Sequence, residues 1–419
     1  MRGMGELTVI GYSGAELGDE ARAARGAATL VVGGARHLEA VPVPEGARTI
    51  KVGALDPALE ALSGHDGHAV VVASGDPGFF GIVRRLRAGG LEVARVIPAV
   101  SSVAAAFAAV RLDWDDAAVV SVHGAAADPR RSVRRAVNAC LAHPKVAVLT
   151  GPASGLGELA KGLLAAGVKP SERVLWAAER LGTDEERVRS FDLEEAAVTR
   201  AVTDPNVVLC LARTPARAAA GWLAGVRAGG VTAEAVAPQP LPDEAFEHRD
   251  GQITKQETRA LAVARLAPRF GDLVWDLGSG SGSVGIECTR RGAAVIAVER
   301  DAESCERIRS NAARHSASGL YICTGDAADH AARLPDPDAV FLGGGGMDVL
   351  RTVLDRRPPR LVATFASLER ASSVLPLLAG HGYAAEGVLN QASRFALLPD
   401  GSHRLAAQNP VFLIWAELL

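Results

Sequence analysis

The chain has 419 residues, 48% hydrophobic and 22% charged, with a net charge of −3. That length exceeds one ordinary core, so two or more domains are expected, and the composition is globular rather than disordered. The near-neutral balance leaves no electrostatic footprint for nucleic acid, and none is expected as a partner. The amino terminus, MRGMGELTVI, lacks the apolar core and cleavage site of a signal peptide, and no stretch is long enough to span a bilayer. A cytoplasmic protein without a membrane partner is expected. Cys140, Cys210, Cys288, Cys305 and Cys323 form no CxxC pair and read as buried free thiols; the ten histidines show no ligand spacing, so no metal is expected.

Short apolar runs alternate with Gly/Pro punctuation and Ala-rich helical stretches, which is the α/β pattern. In chain order, strands are expected at 7–11, 69–75, 146–151, 206–212, 273–278, 294–299 and 339–344. Several are continuously apolar rather than alternating, which suits parallel strands covered on both faces. The pattern weakens after 213, and prolines gather in APQPLP at 237–242. Domains are therefore expected at 1–213 and 240–419, joined by a linker at 214–239.

In the first half, ASGDPGFFGI (73–82) sets Gly75, Asp76 and Pro77 directly after a strand, and IPAVSSVAAAF (97–107) sets Ser101 and Ser102 where a turn enters a helix. A turn and a helix cap explain each motif alone. Together with VVGGARHL (31–38), SVHG (121–124), VLTGPAS (148–154) and AAERLGTDEERV (177–188), they resemble the tetrapyrrole methylase family, most closely its precorrin C-5 methylating branch, over about residues 5–213. The resemblance implies two α/β lobes split near LDWDD (112–116), with S-adenosylmethionine folded between them. It also implies that Gly75, Asp76, Pro77, Ser101 and Ser102 bind this cofactor, mainly through backbone geometry. One departure is the first turn, GYSGAELGDEARAA (11–24), which is shorter than the family's usual glycine- and proline-containing loop.

In the second half, DGQITKQETRALAVARLAP (250–268) reads as a helix opened by a Thr254/Glu257 capping box, with Leu261 and Leu266 apolar and Pro268 beyond its end. The stretch VWDLGSGSGSVGIE (274–287) follows. Gly280, Gly282 and Gly285 formally satisfy GxGxxG, the dinucleotide fingerprint. Asp276 at the strand end argues against it, because a carboxylate there repels a pyrophosphate and favours a cationic ligand. S-adenosylmethionine carries an ammonium and a sulfonium and no phosphate. Glu299 closes the next strand, where a carboxylate can accept ribose hydroxyls, and Asp326 follows the third, suited to an adenine amino group. Any one of them could be only a cap or a solvated turn; all three fall at successive strand ends.

On these residues the segment 240–419 resembles class I S-adenosylmethionine-dependent methyltransferases, with a Rossmann-like fold. Adding ITKxExRAL, the strand-end ERD, DPDAVFLGGGG (336–346) and QNPVFLIW (408–415), it resembles the precorrin C-15 methylating and decarboxylating enzymes. That resemblance implies Asp276, Gly278, Gly280 and Gly282 for the methionine part of the cofactor, Glu299 for ribose, and Asp326 with Ala327 for adenine. It places Gly343 to Gly346 near the cofactor methyl, Gly343 and Gly344 among them as cofactor-binding, and Thr254, Lys255 and Asn409 in the substrate pocket as catalytic candidates.

Two unrelated methylase resemblances in one chain imply a bifunctional, decarboxylating precorrin methyltransferase family of corrin (cobalamin) biosynthesis. Its members methylate dihydrogenated precorrin-6 at C-5 and C-15 and remove carbon dioxide from the ring C acetate, giving precorrin-8. One S-adenosylmethionine per domain, a tetrapyrrole partner and a homo-oligomer are implied. Three rivals stand beside this reading: a nicotinamide oxidoreductase using the formal GxGxxG, a methyltransferase acting on RNA or protein, and a non-catalytic tetrapyrrole carrier.

Overall fold

The computed structural model describes residues 6–52, 56–122, 129–151, 155–200, 202–213, 240–249, 251–344 and 346–419. The expected linker at 214–239, the ends of SVHG and VLTGPAS, and Gly345 lie outside the described residues.

The first lobe alternates strictly: β1 (Leu7–Tyr12), α1 (Asp19–Gly26), β2 (Leu30–Gly33), α2 (Ala35–Ala40), β3 (Arg48–Lys51), α3 (Asp56–Ser63), β4 (Ala69–Ser74), α4 (Ile82–Ala88) and β5 (Arg95–Ile97). Its strands form one parallel sheet in the order β3-β2-β4-β1-β5. Successive side chains point to opposite faces, so the unbroken apolar runs serve two cores: Val9, Val32 and Val71 on one face, Ile10, Val31 and Val72 on the other.

The second lobe contains α5 (Ser102–Ala109), β6 (Ala118–Ser121), α6 (Pro129–Ala142), β7 (Lys145–Leu149), α7 (Leu156–Ala165), β8 (Arg173–Glu179), β9 (Arg187–Phe191), α8 (Leu193–Val198) and β10 (Asn206–Ala212), with the sheet order β6-β7-β10-β8-β9. One sequence expectation fails here. The continuous run NVVLCLA is β10, which lies antiparallel to both β7 and β8. Continuous apolarity reports cover on both faces, not direction: Val208 and Cys210 pack with the α6–α7 side, Val207 and Leu209 with α5.

Beyond residue 240 come a 3-10 turn (Asp243–Ala245), α9 (Gln256–Leu266), β11 (Leu273–Leu277), α10 (Ser283–Thr289), β12 (Ala294–Glu299), α11 (Ala302–Arg314), β13 (Leu320–Thr324), α12 (Ala327–Ala331), β14 (Ala339–Leu342), α13 (Gly346–Asp355), β15 (Arg360–Phe365), α14 (Leu368–Gly380), β16 (Tyr383–Asn390), β17 (Ser393–Leu397), β18 (His403–Ala407) and β19 (Val411–Leu418). Seven strands form a sheet in the order β13-β12-β11-β14-β15-β19-β16; the first five are parallel, and β19 is antiparallel to both its neighbours. Strand order reverses between β11 and β14, so a crevice opens beyond their carboxyl ends, where open α/β sheets bind ligands.

The opposite, amino-terminal edge of this sheet docks on the second lobe. Asn138 of α6 donates to the Gly271 carbonyl (3.1 Å) and to Asp338 (3.3 Å), and Asp338 also pairs with Arg134. Arg173 donates to the Tyr321 hydroxyl (3.2 Å), which donates to the Leu141 carbonyl (3.1 Å). Among the described residues no helix is long and apolar enough to cross a membrane. The five cysteines are free, and all but Cys323 are buried.

Candidate functional site

The glycine loop after β11 is bent by three left-handed residues, Gly278 (φ 69°), Gly280 (φ 60°) and Gly282 (φ 76°), a conformation costly for any residue with a Cβ. Each glycine has its own surroundings. A Cβ on Gly278 would lie 2.8 Å from the Cα and N of Gly344, so the loops after β11 and β14 touch backbone to backbone. A Cβ on Gly282 would meet Ile308 at 3.0 Å, whereas one on Gly280 would meet nothing within 4 Å. The crevice is therefore open beside Gly280 and floored by Gly278 and the Gly343–Gly344 pair.

Three carboxylates line up at the ends of β11, β12 and β13. Asp276 is 1% exposed; its Oδ2 accepts from the Ser279 hydroxyl (2.7 Å) and the Gly285 N–H (3.0 Å), while its buried Oδ1 has no partner. Burial pushes its pKa up to about 6, opposed by those two hydrogen bonds and reinforced by the charge of Glu299. Glu299 Oε2 accepts from the Gly280 N–H (2.8 Å), and its Oε1 accepts from the N–H groups of Arg300 (2.9 Å) and Asp301 (3.1 Å). Asp326 caps α12, its Oδ1 accepting from Ala328 (2.8 Å) and Asp329 (3.4 Å), with Ala327 opening that helix. The orphaned Asp276 oxygen, the open volume at Gly280 and the two acidic side chains fit a ligand carrying positive charge and a ribose, such as S-adenosylmethionine.

The expected capping box at 254–257 is absent. The N-cap of α9 is Lys255, without a side-chain cap, and Thr254 lies one residue too early. Glu257 is drawn away by Arg394 of β17, whose Nε and Nη2 each donate to it at 2.8 Å and hold its carboxyl below the usual range. Thr254 contributes its carbonyl to the buried Arg259 (2.6 Å), which also pairs with Asp243 (3.2 Å). Lys255 Nζ donates to the Gly251 carbonyl (3.1 Å), and Asn409 is exposed in the turn before β19. Gln408, with its amide oriented to satisfy both neighbours, bridges Glu257 and Arg394, which brings the Asn409 turn to the start of α9.

In the first lobe the motif residues converge. Gly75 (φ 57°) sits on the other motif: a Cβ there would lie 3.2 Å from the Ser102 N and 3.3 Å from the Ser101 Cα. Asp76 Oδ1 accepts from the Gly78 N–H (2.8 Å), fixing the turn through Pro77, and Ser101 caps α5 through Ala104 (3.1 Å). Beside them the carboxyl ends of β1 and β5 line a cavity of about 720 Å³ that includes Tyr12, Asp19 and Val100. Sequence reasoning missed the neighbouring Ser74, which accepts from Arg36 and bonds His37 (3.0 Å); the signal was VVGGARHL, read as a motif without a role.

A family model described as tetrapyrrole (corrin/porphyrin) methylases matches residues 20–197, and a precorrin methyltransferase domain model matches 244–402. A precorrin-6Y C(5,15)-methyltransferase [decarboxylating] from a Sinorhizobium species is 39% identical, covering 82% of this chain and 79% of its own. The chain belongs to the decarboxylating precorrin-6Y C(5,15)-methyltransferase family. A second member, from Mycobacterium tuberculosis, is 33% identical over 79% of this chain and 77% of its own. A solved precorrin-6Y C5,15-methyltransferase from Geobacter metallireducens is 28% identical over 42% of this chain and 96% of that one, with a TM-score of 0.40. Family membership makes the chain a methyltransferase that uses S-adenosylmethionine as methyl donor, and favours neither an oxidoreductase nor a methyltransferase of RNA or protein.

Proposed function

We propose that the chain methylates dihydrogenated precorrin-6 at C-5 in its first domain (1–213) and at C-15 in its second (240–419), where it also removes carbon dioxide from the ring C acetate. The observation that carries this reading is the crevice of the second domain. There an unpartnered buried carboxylate oxygen, open space at Gly280 and Glu299 meet at the switch point between β11 and β14. We assign Asp276 and Gly278, Gly280 and Gly282 to the methionine part of the cofactor, Glu299 to ribose, Asp326 and Ala327 to adenine, and Gly343 and Gly344 to the side facing the methyl. Thr254, Lys255 and Asn409 are assigned to the substrate. In the first domain, Gly75, Asp76, Pro77, Ser101 and Ser102 shape a second cofactor site.

S-adenosylmethionine, when bound, supplies a methyl already activated on a sulfonium. The chain then needs no nucleophile of its own. An enamine-like meso carbon gives the electron pair for the new carbon–carbon bond, and the sulfur keeps the pair of the broken one. The protein's part is alignment and water exclusion, worth several orders of magnitude in rate. Gly278 against Gly344 holds the floor at backbone thickness, leaving the methyl within reach of the substrate. In decarboxylation the carbon–carboxylate pair flows into the conjugated imine of the macrocycle, so the protein only orients the acetate. Exposed Phe395, Leu397 and Leu405 on the β17–β18 hairpin support the homo-oligomer reading, as apolar surface that a second copy could cover.

Calorimetric titration of the full chain with S-adenosylhomocysteine tests the proposal. Two sites per chain are expected, one of them weakened about tenfold or more by Glu299→Ala. No site, or binding of NADH in its place, would overturn the reading.

A further inference from the structure

The turn from Asp76 to Gly81 holds a bulky residue in a conformation that side chains avoid. Phe80 has φ 51°, in the left-handed region, where a large non-glycine residue is an outlier that the surrounding structure must enforce. The enforcement is visible on both sides. Asp76 anchors the turn through the N–H groups of Gly78 (2.8 Å, to its carboxylate) and Phe79 (3.1 Å, to its carbonyl), and the Val83 N–H reaches the Pro77 carbonyl (3.3 Å). Gly81 is pressed so closely on Pro77 that a Cβ there would lie 2.2 Å from the Pro77 carbonyl oxygen.

Core packing does not account for the strain. Phe79 turns inward against the core that holds Phe107 and Leu209. Phe80 turns outward: it is 47% exposed, and its ring stands edge-on to Phe79 with centroids 5.0 Å apart. Gly78, Phe79, Phe80, Gly81 and Arg84 line a shallow cavity of about 170 Å³. Arg84, on the first turn of α4, is exposed and among the described residues has no ion-pair partner. An outward aromatic face beside an uncommitted guanidinium suits a ligand with a flat apolar body and an anionic rim.

We propose that Phe80 and Arg84 bind the substrate of the first domain, Phe80 against the apolar face of the tetrapyrrole and Arg84 on one of its peripheral carboxylates. This rests on the C-5 methylation reading. The two residues follow the Gly75–Asp76–Pro77 motif directly, so one rigid turn would place macrocycle and cofactor together.

The test uses the full chain with dihydrogenated precorrin-6 and S-adenosylmethionine, reading methylation at C-5 and C-15 separately by NMR. Phe80→Gly and Arg84→Gln are each expected to raise KM for C-5 methylation about tenfold, with Arg84→Lys recovering part of the loss. C-15 methylation, decarboxylation and S-adenosylhomocysteine affinity stay unchanged. Because glycine relieves the left-handed φ, Phe80→Gly should melt no lower than the native chain. An unchanged KM at C-5 in both variants, or a parallel loss at C-15, overturns the proposal while leaving the function standing. A native chain that methylates neither position overturns the function, and the proposal with it.

Discussion

Glu299, the last residue of β12, accepts a hydrogen bond from the N–H of Gly280, 2.8 Å away, and so ties the second strand of the carboxy-terminal sheet to the glycine loop of the first. The same carboxylate would have to exchange part of that bonding for ribose hydroxyls when cofactor enters. Glu299→Ala is expected to weaken S-adenosylhomocysteine binding at this site about tenfold or more while the chain stays folded. Calorimetry with a parallel melting curve checks it; unchanged affinity removes Glu299 from the site.

Asp276 sets a pH dependence. Its carboxyl is raised by burial from the ordinary 3.8 to about 6, so the folded chain holds this proton more tightly than the unfolded one. The stabilising contribution is present below the unfolded value and is lost as pH rises through the folded one. Asp276→Asn should therefore gain stability relative to the native chain between roughly pH 4 and 7, by up to about 3 kcal/mol. Urea titrations across that range measure it. A cationic ligand favours the carboxylate, so S-adenosylmethionine affinity should rise through the same window in the native chain and stay flat in the variant.

The two glycines of the loop should separate stability from binding. Gly278→Ala meets Gly344 backbone at 2.8 Å in addition to its φ of 69°, and is expected to cost about 2 kcal/mol or more. Gly280→Ala meets only the strain of φ 60°, roughly 1 kcal/mol. Its methyl instead fills the open crevice, so cofactor affinity should suffer more than melting temperature. Equal effects of the two substitutions on binding and melting would contradict this floor-and-opening arrangement.

The carboxy-terminal sheet docks on the second lobe by the amino ends of its strands, through Asn138 and Asp338, and near the amino ends of β7 and β8, where His143 and Arg173 lie. The Gly182 turn beyond the carboxyl end of β8 meets Ser13 of the first lobe instead. The second lobe therefore lies between the first-lobe motif residues and the carboxy-terminal sheet, whose proposed site is at the far, carboxyl end of its strands. The singly methylated intermediate should therefore leave one site before reaching the other. With donor held well below saturation, an equal mixture of two chains, one impaired by Asp76→Ala and the other by Glu299→Ala, is expected to form doubly methylated product with the lag of the native chain. A product that appears only when both sites share a chain would show a direct passage.

Much of this arrangement was legible in the sequence because it depends on local pattern. Apolar runs ending in Asp276 and Glu299, and in the residues before Asp326, fixed strand ends, and alternating glycines announced a loop that must turn left-handed. The approach of Gly278 to Gly344 was not legible, since it joins residues 66 apart in number. The capping box at Thr254 failed for a related reason: Arg394, far along the chain, offers Glu257 a charge-assisted pair stronger than a backbone cap. The direction of β10 escaped because burial on both faces looks the same in parallel and antiparallel strands. Phe80 escaped because positive φ at a phenylalanine has no sequence signature.

The most direct measurement is the mass and NMR spectrum of the product formed by the full chain from dihydrogenated precorrin-6 and S-adenosylmethionine. Two methyl groups gained, at C-5 and C-15, with one carbon dioxide lost, is the expected result. A product that keeps its ring C carboxylate, or carries a methyl at only one of the two positions under saturating donor, would contradict the bifunctional reading.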